Sequence, residues 1–183
     1  MWKHLPQRLI LLLCLCGVVF AAEPAAIWLD VPFVKQTKDG CGAASVAMVL
    51  QYWANQQHNV STKQADPDAI FRALYSPEAH GIYASKLEAY LRQNGFRTFA
   101  LHGEWADLRQ HLQKGRPLIV ALKPDRGELH YVVVAGLDEQ LNLIMLNDPA
   151  QRKLLKTGRA GFEKEWSGTQ NWLLLAVPDA SVP

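Results

Sequence analysis

Cysteine is scarce in this chain of 183 residues: there are three, at positions 14, 16 and 41. No Cys-x-x-Cys pair, no His-Glu-x-x-His and no grouped His, Asp or Glu residues at metal-ligand spacing occur, so the sequence predicts no metal and no cofactor. Gly-x-Ser-x-Gly is absent, which removes the serine-hydrolase elbow, and no glycine-rich loop is present to cradle phosphates. Internal repeats, low-complexity tracts and long linkers are missing too. The formal net charge is only +2. Two of the basic residues, Lys3 and Arg8, lie in the first 22 positions, and without them the 17 acidic residues are matched by 17 basic ones. A neutral domain has no electrostatic footprint for nucleic acid.

Those first 22 residues have a composition of their own. Lys3 and Arg8 precede the apolar run Leu9–Phe20, which ends in Ala21 and Ala22. A basic start, an apolar middle and small residues at the exit describe a secretory signal peptide. The run is shorter than the roughly 20 residues of a membrane span. Export, to a bacterial periplasm or beyond the cell, is therefore expected, with a membrane association only if the segment stays uncleaved. Residues 23–183 then form one domain, of a size that supports a single sizeable core. Cleavage at Val19-Phe20-Ala21 would also remove Cys14 and Cys16. A lone Cys41 in an exported protein is an inert buried thiol, half of an intermolecular bridge or a reactive nucleophile, and its count does not choose among them.

The segment around it does. Lys38-Asp39-Gly40 signals a turn, and Cys41–Trp53 runs without proline, with apolar residues on most faces, as a buried helix. Cys41 thus stands where a turn becomes a helix, and the helix dipole there favours a thiolate. Gly40 and Gly42 are expected to leave room for a substrate chain. Gln36, five residues upstream, has an amide that could donate to a developing oxyanion; its plain alternative is a surface loop residue.

Downstream, the pattern predicts an extended or strand segment over 27–34 with an edge at Pro32, a polar loop over 55–68, and a short helix over 69–75. A helix over 84–94 follows, with Ser85 as N-cap and Gly95 at its end, then a strand over 96–101 and a helix over 105–114. After Pro117 come strands at 118–122, 130–136, 141–147 and 173–177. Helices first and strands later, with hairpin-length turns, argue an α+β fold with an antiparallel sheet.

His130 opens one of those strands, whereas His58, His80, His102 and His111 lie in polar segments and read as solvated. Asp148 closes the next strand in Asn147-Asp148-Pro149. In a hairpin the start of one strand meets the end of the next, so His130 and Asp148 are brought together by topology. His130 can then act as base for Cys41, and Asp148 can fix its tautomer. Asp148-Pro149 is otherwise a simple turn starter, and Asn147 is the next candidate for the orienting role.

Three blocks together resemble the C39-type cysteine peptidases of the papain-like superfamily: Gln36-x4-Cys41-Gly42-Ala43-Ala44-Ser45, His130-Tyr131-Val132-Val133-Val134, and Asn147-Asp148-Pro149. The segment Gly81–Leu87 and the strand after Pro117 occur in matching order, and the similarity spans most of residues 30–177. The resemblance implies a papain-like fold, a polypeptide substrate, Cys41 as nucleophile, His130 as base, Asp148 as third member and Gln36 at the oxyanion position. Family members that cleave after a double glycine are fused to ABC transporters and face the cytoplasm. This chain, with an export signal of its own and no transporter in its length, is expected to process an exported protein. A papain-like amidase or acyl transferase, and a non-catalytic binding module, are the alternatives on the same scaffold.

Overall fold

The computed structural model describes residues 26–179 except 57, 59 and 62, so the expected signal peptide lies outside the described residues. The elements run β1 (Ala26–Trp28), α1 (Cys41–Asn55), α2 (Pro67–Leu74), a 3-10 turn (Pro77–Ala79), α3 (Ala84–Gln93), β2 (Phe96–His102), α4 (Trp105–Gln113), β3 (Leu118–Leu122), β4 (His130–Asp138), β5 (Leu143–Asn147), β6 (Leu155–Gly158), α5 (Arg159–Ser167) and β7 (Trp172–Pro178). The strands form one sheet in the order β2-β7-β3-β4-β5-β6, antiparallel throughout, with β1 added beside β4.

The central strands are apolar on both faces because both faces are covered. Along β3, Leu118, Val120 and Leu122 pack with Trp105, Leu108 and Leu112 of α4 and Phe162 and Trp166 of α5. Ile119 and Ala121 point the other way, into a second cluster with Val46, Val49 and Leu50 of α1 and Leu87 and Leu91 of α3. Each fully buried Leu, Ile or Phe adds about 1.5–3 kcal/mol of transfer free energy. The expected α+β class with an antiparallel sheet is what the chain adopts.

Several local expectations are corrected. Helix α2 begins earlier than predicted, because the Asp66 carboxylate accepts from the Asp68 and Ala69 N–H groups at 2.9 and 3.3 Å. Pro67 then takes the first helical position, where its missing N–H is no loss. Ser85 is not the N-cap of α3: Tyr83 is, and it makes no side-chain capping bond. Gly95 does follow the helix in a left-handed conformation, φ 85°.

The strand predicted over 27–34 shrinks to β1, which pairs Ala26–Trp28 with Gly136–Asp138. There β4 carries a bulge between Val134 and Gly136, and a Cβ on Gly136 would stand 2.6 Å from the Ile27 carbonyl oxygen. Only glycine lets β1 approach so closely. The pattern reading also passed over β6 and α5, whose alternation is weak: β6 is half-exposed, and only Phe162 and Trp166 of α5 are buried.

Candidate active site

The site lies at one end of the sheet. There β3 ends, β4 and β7 begin, and the start of α1 faces them. The turn before α1 is closed by Gly40 N–H donating to the Thr37 carbonyl at 3.1 Å, with Asp39 at φ 58°. Cys41 is therefore the first residue of α1, half-buried, at the turn-to-helix junction that its sequence context predicts.

His130 is the first residue of β4. The register pairs Val133 with Asn147, so Asp148, one step beyond β5, reaches the start of β4. His130 Nε2 and Asp148 Oδ1 are 2.8 Å apart. The carboxylate can only accept, so it selects the tautomer with a proton on Nε2 and leaves Nδ1 for the thiol. The same ring is hydrogen-bonded to Cys41.

Burial alone would push the His130 pKa down. The hydrogen bonds to Asp148 and Cys41, with the charges of both, outweigh it and raise it to about 9. Burial likewise works to raise the Asp148 pKa, but the bond and charge of His130, the Ala150 N–H and the Gln151 side chain hold it below its ordinary 3.8. Burial, with a smaller contribution from Cys41, also raises the Tyr131 hydroxyl. At neutral pH the ring is thus an imidazolium between a buried carboxylate and the sulfur. This ring is the partner that a thiolate nucleophile needs.

Gln36 is tied to the same end of the molecule. Its N–H donates to the Pro149 carbonyl at 2.9 Å, and its side chain lines the cleft beside Cys41. Its Oε1 is buried and makes no hydrogen bond. Asn147, the alternative to Asp148, is fully buried and has a different task. Its Nδ2 donates to the Val31 and Pro32 carbonyls at 3.0 and 3.3 Å, and its Oδ1 accepts from Leu154 N–H at 3.0 Å. Asn147 thereby anchors the segment leading to Gln36 onto the end of β5.

The glycines beside Cys41 do not open a path for substrate. Gly42 is buried, and a Cβ there would lie 3.1 Å from Leu87 Cδ2 and 3.4 Å from both Ile82 Cβ and Tyr131 Cδ2. It permits close packing of α1, while Gly40 is enclosed by Thr37. His111 is not simply solvated either: its Nδ1 is buried without a partner, and burial, then Arg116 and Lys114, lower its pKa.

The cleft is about 950 Å³ in volume. Ile82, Tyr83, Leu129 and Gly168–Gln170 line it, with Trp172 against Tyr131 at a ring separation of 5.7 Å. Two contributors went unnoticed in the sequence. Gln151 bonds the far oxygen of Asp148, and only its position three residues beyond Asp148, across Pro149, hints at this. Trp172 and the turn before it depend on α5, which the pattern did not reveal. Among the described residues no group of three or more His, Cys, Asp or Glu side chains could hold a metal ion.

The model of the Peptidase_C39 like family matches residues 28–172. The chain belongs to this family. It is accordingly a cysteine peptidase, and the expected resemblance holds. Among solved structures, this C39-like peptidase is similar to a C39-like peptidase from Bacillus anthracis, with 19% identity and a TM-score of 0.65 over 83% of this chain and 97% of that one. It is also similar to the peptidase domain of Streptococcus ComA, a bi-functional ABC transporter of a quorum-sensing pathway: 22% identity, TM-score 0.61, 80% and 97% covered. A double glycine motif protease from an AMS/PCAT transporter, solved in complex with its leader peptide, gives 24% identity and a TM-score of 0.59 over 82% and 94%. These likenesses establish the shared papain-like fold. The comparison with curated proteins finds no match.

Proposed function

We propose that this C39-like peptidase is an exported cysteine endopeptidase that cleaves a polypeptide within an exported protein or leader. Cys41 Sγ attacks the scissile carbonyl, His130 takes and returns the proton, Asp148 holds the ring, and the Gln36 amide faces the oxyanion. Water, activated by His130, then hydrolyses the thioester. The observation that carries this reading is the single chain of contacts from Asp148 Oδ1 through the His130 ring to Cys41 at the mouth of the cleft.

The residues support each step. The imidazolium, held by Asp148, is the acid that protonates the leaving amine. The unpaired, buried Oε1 of Gln36 is a reason for its Nε2 to be the end that serves the cleft. A cleft of about 950 Å³ has room for an extended peptide. Export is supported by the basic, apolar and small-residue order of positions 1–22. The leader peptide seen with the double glycine motif protease supports a polypeptide substrate here as well.

The test compares the N-termini of exported proteins in wild-type and Cys41→Ala strains, with fractionation of the chain itself. Proteins that keep an extra segment only in the Cys41→Ala strain are the expected substrates, and the mature chain should begin near position 23. An unchanged exported proteome in the Cys41→Ala strain refutes the peptidase role. Recovery of the chain in the cytoplasm with Met1 intact refutes export. Formation of an amide when an amine nucleophile is added to the purified protein would instead identify acyl transfer.

A further inference from the structure

Asp148 has two carboxylate oxygens, and His130 uses one of them. Oδ1 accepts from His130 Nε2 at 2.8 Å and from the Ala150 N–H at 2.9 Å. Oδ2 accepts from the Gln151 side-chain Nε2 at 2.7 Å. The loop that brings Gln151 there is closed by its own backbone. Gln151 N–H donates to the Asp148 carbonyl at 3.0 Å, and Asp148 N–H donates to the Arg152 carbonyl at 3.1 Å.

We propose that Gln151 is a positioning residue of the peptidase reaction, its amide fixing the Asp148 carboxylate plane so that Oδ1 stays aimed at His130 Nε2. The inference rests on the reading of Cys41, His130 and Asp148 as one catalytic unit. The torsion that swings a carboxylate about its last bond is broad and weakly restrained. Donors on Oδ1 alone leave Oδ2 free to pivot, whereas a donor on each oxygen sets the plane. Asp148 is buried, so an Oδ2 deprived of its donor would also lie exposed to little water, and a buried acceptor without a partner is costly. Gln151 itself is solvent-exposed, so the core does not need its side chain. The charged groups facing His130 are Asp148 and Cys41, so any loosening of Asp148 is felt directly by the ring.

Two substitutions separate positioning from mere surface packing. Gln151→Met keeps the length and removes the donor; Gln151→Lys keeps a donor. The probe is iodoacetamide on the full chain, with the Cys41 adduct followed by peptide mass spectrometry from pH 5 to 10. It needs no substrate. In Gln151→Met the inflection at which His130 loses its proton should move to lower pH by roughly half a unit to one unit, a part of the one to two units that a whole hydrogen bond to a charged group is worth, because Gln151 acts on the ring only through Asp148. On any peptide the wild type cleaves, kcat should fall roughly tenfold with KM unchanged. The thermal midpoint should fall by only a few degrees, the scale of one unpaired buried acceptor, and Gln151→Lys should recover most of the loss in kcat. Coincidence of the Gln151→Met and wild-type profiles overturns the proposal, as does failure of Gln151→Lys to restore the kcat that Gln151→Met removes. A wild-type profile with no inflection that His130→Gln abolishes would overturn the catalytic unit itself, a distinguishable result.

Discussion

Replacing Asp148 by Asn tests the electrostatics of the site most directly. The carboxylate is 7% exposed, the His130 side chain 23%, and the contact is 2.8 Å, so little solvent screens the pair. Asn keeps the shape and removes the charge. His130 would then keep the burial that lowers its pKa, with Cys41 alone opposing it. A hydrogen bond to a charged group contributes about 1.5–3 kcal/mol, which corresponds to roughly one to two units. The His130 pKa should therefore drop from about 9 toward 7 or 8. The sign follows from the proton: the working ring is protonated below its pKa, so a lower pKa brings the alkaline loss of activity to lower pH. At pH 6 the variant should be impaired mildly, and at pH 8.5 by a further factor of roughly 3 to 25. The assay is kcat/KM against pH on a cleaved peptide, paired with Cys41 alkylation over the same range. A loss by the same factor at every pH would refute the reasoning, because it would point to displaced geometry rather than a displaced titration.

Three further outcomes are expected. Gln36→Ala should lower kcat by about 100- to 1000-fold, as loss of one oxyanion donor does, while leaving the Cys41 alkylation rate near wild type; equal losses in both assays would show Gln36 to be structural. Gly136→Ala should destabilise by about 1–3 kcal/mol in urea denaturation, since its Cβ would meet the Ile27 carbonyl oxygen at 2.6 Å and push β1 away; an unchanged midpoint would contradict the close approach. Asn147→Leu leaves the Val31 and Pro32 carbonyls and the Leu154 N–H without their partner. It should cost about 2–4 kcal/mol, and slow peptide cleavage in whatever fraction remains folded.

How much of this was legible depended on the physical signal each residue leaves. Helix α1 and strands β3 and β4 carry long apolar runs, and burial on both faces made those runs hard to miss. The His130–Asp148 contact followed from hairpin topology, because strand ends must meet whatever the side chains are. The start of α2 falls two residues before the predicted 69 because Asp66 and Pro67 suit a loop as well as a helix start. Ser85 misleads for the opposite reason: its residue type suits a cap, but with Leu87 and Leu91 buried the cap falls at Tyr83, two residues earlier. The glycines flanking Cys41 were read by type as openings, when the density of Leu87, Ile82 and Tyr131 around Gly42 makes them packing contacts.

Elements that hold the reacting atoms lie in the core and announce themselves by periodicity. Elements that shape the cleft lie at its rim and do not. Tyr83 and Leu129, which both line the cleft, are exposed hydrophobics, and Gly168–Gln170 enters the site only because α5 turns the chain back into β7. Thr169 fastens that turn by donating to the Ala121 carbonyl at 2.7 Å, so the rim is built onto the end of β3 next to Cys41 and His130. Under the proposed function, reaction chemistry and peptide selection rest on different parts of this chain. Substitutions at Tyr83 or Leu129 should change which peptides are cleaved, seen as KM differences among substrates, while leaving the pH profile of Cys41 alkylation in place. A shift of that profile in Tyr83→Ala would show that the wall and the charged pair are not separable after all.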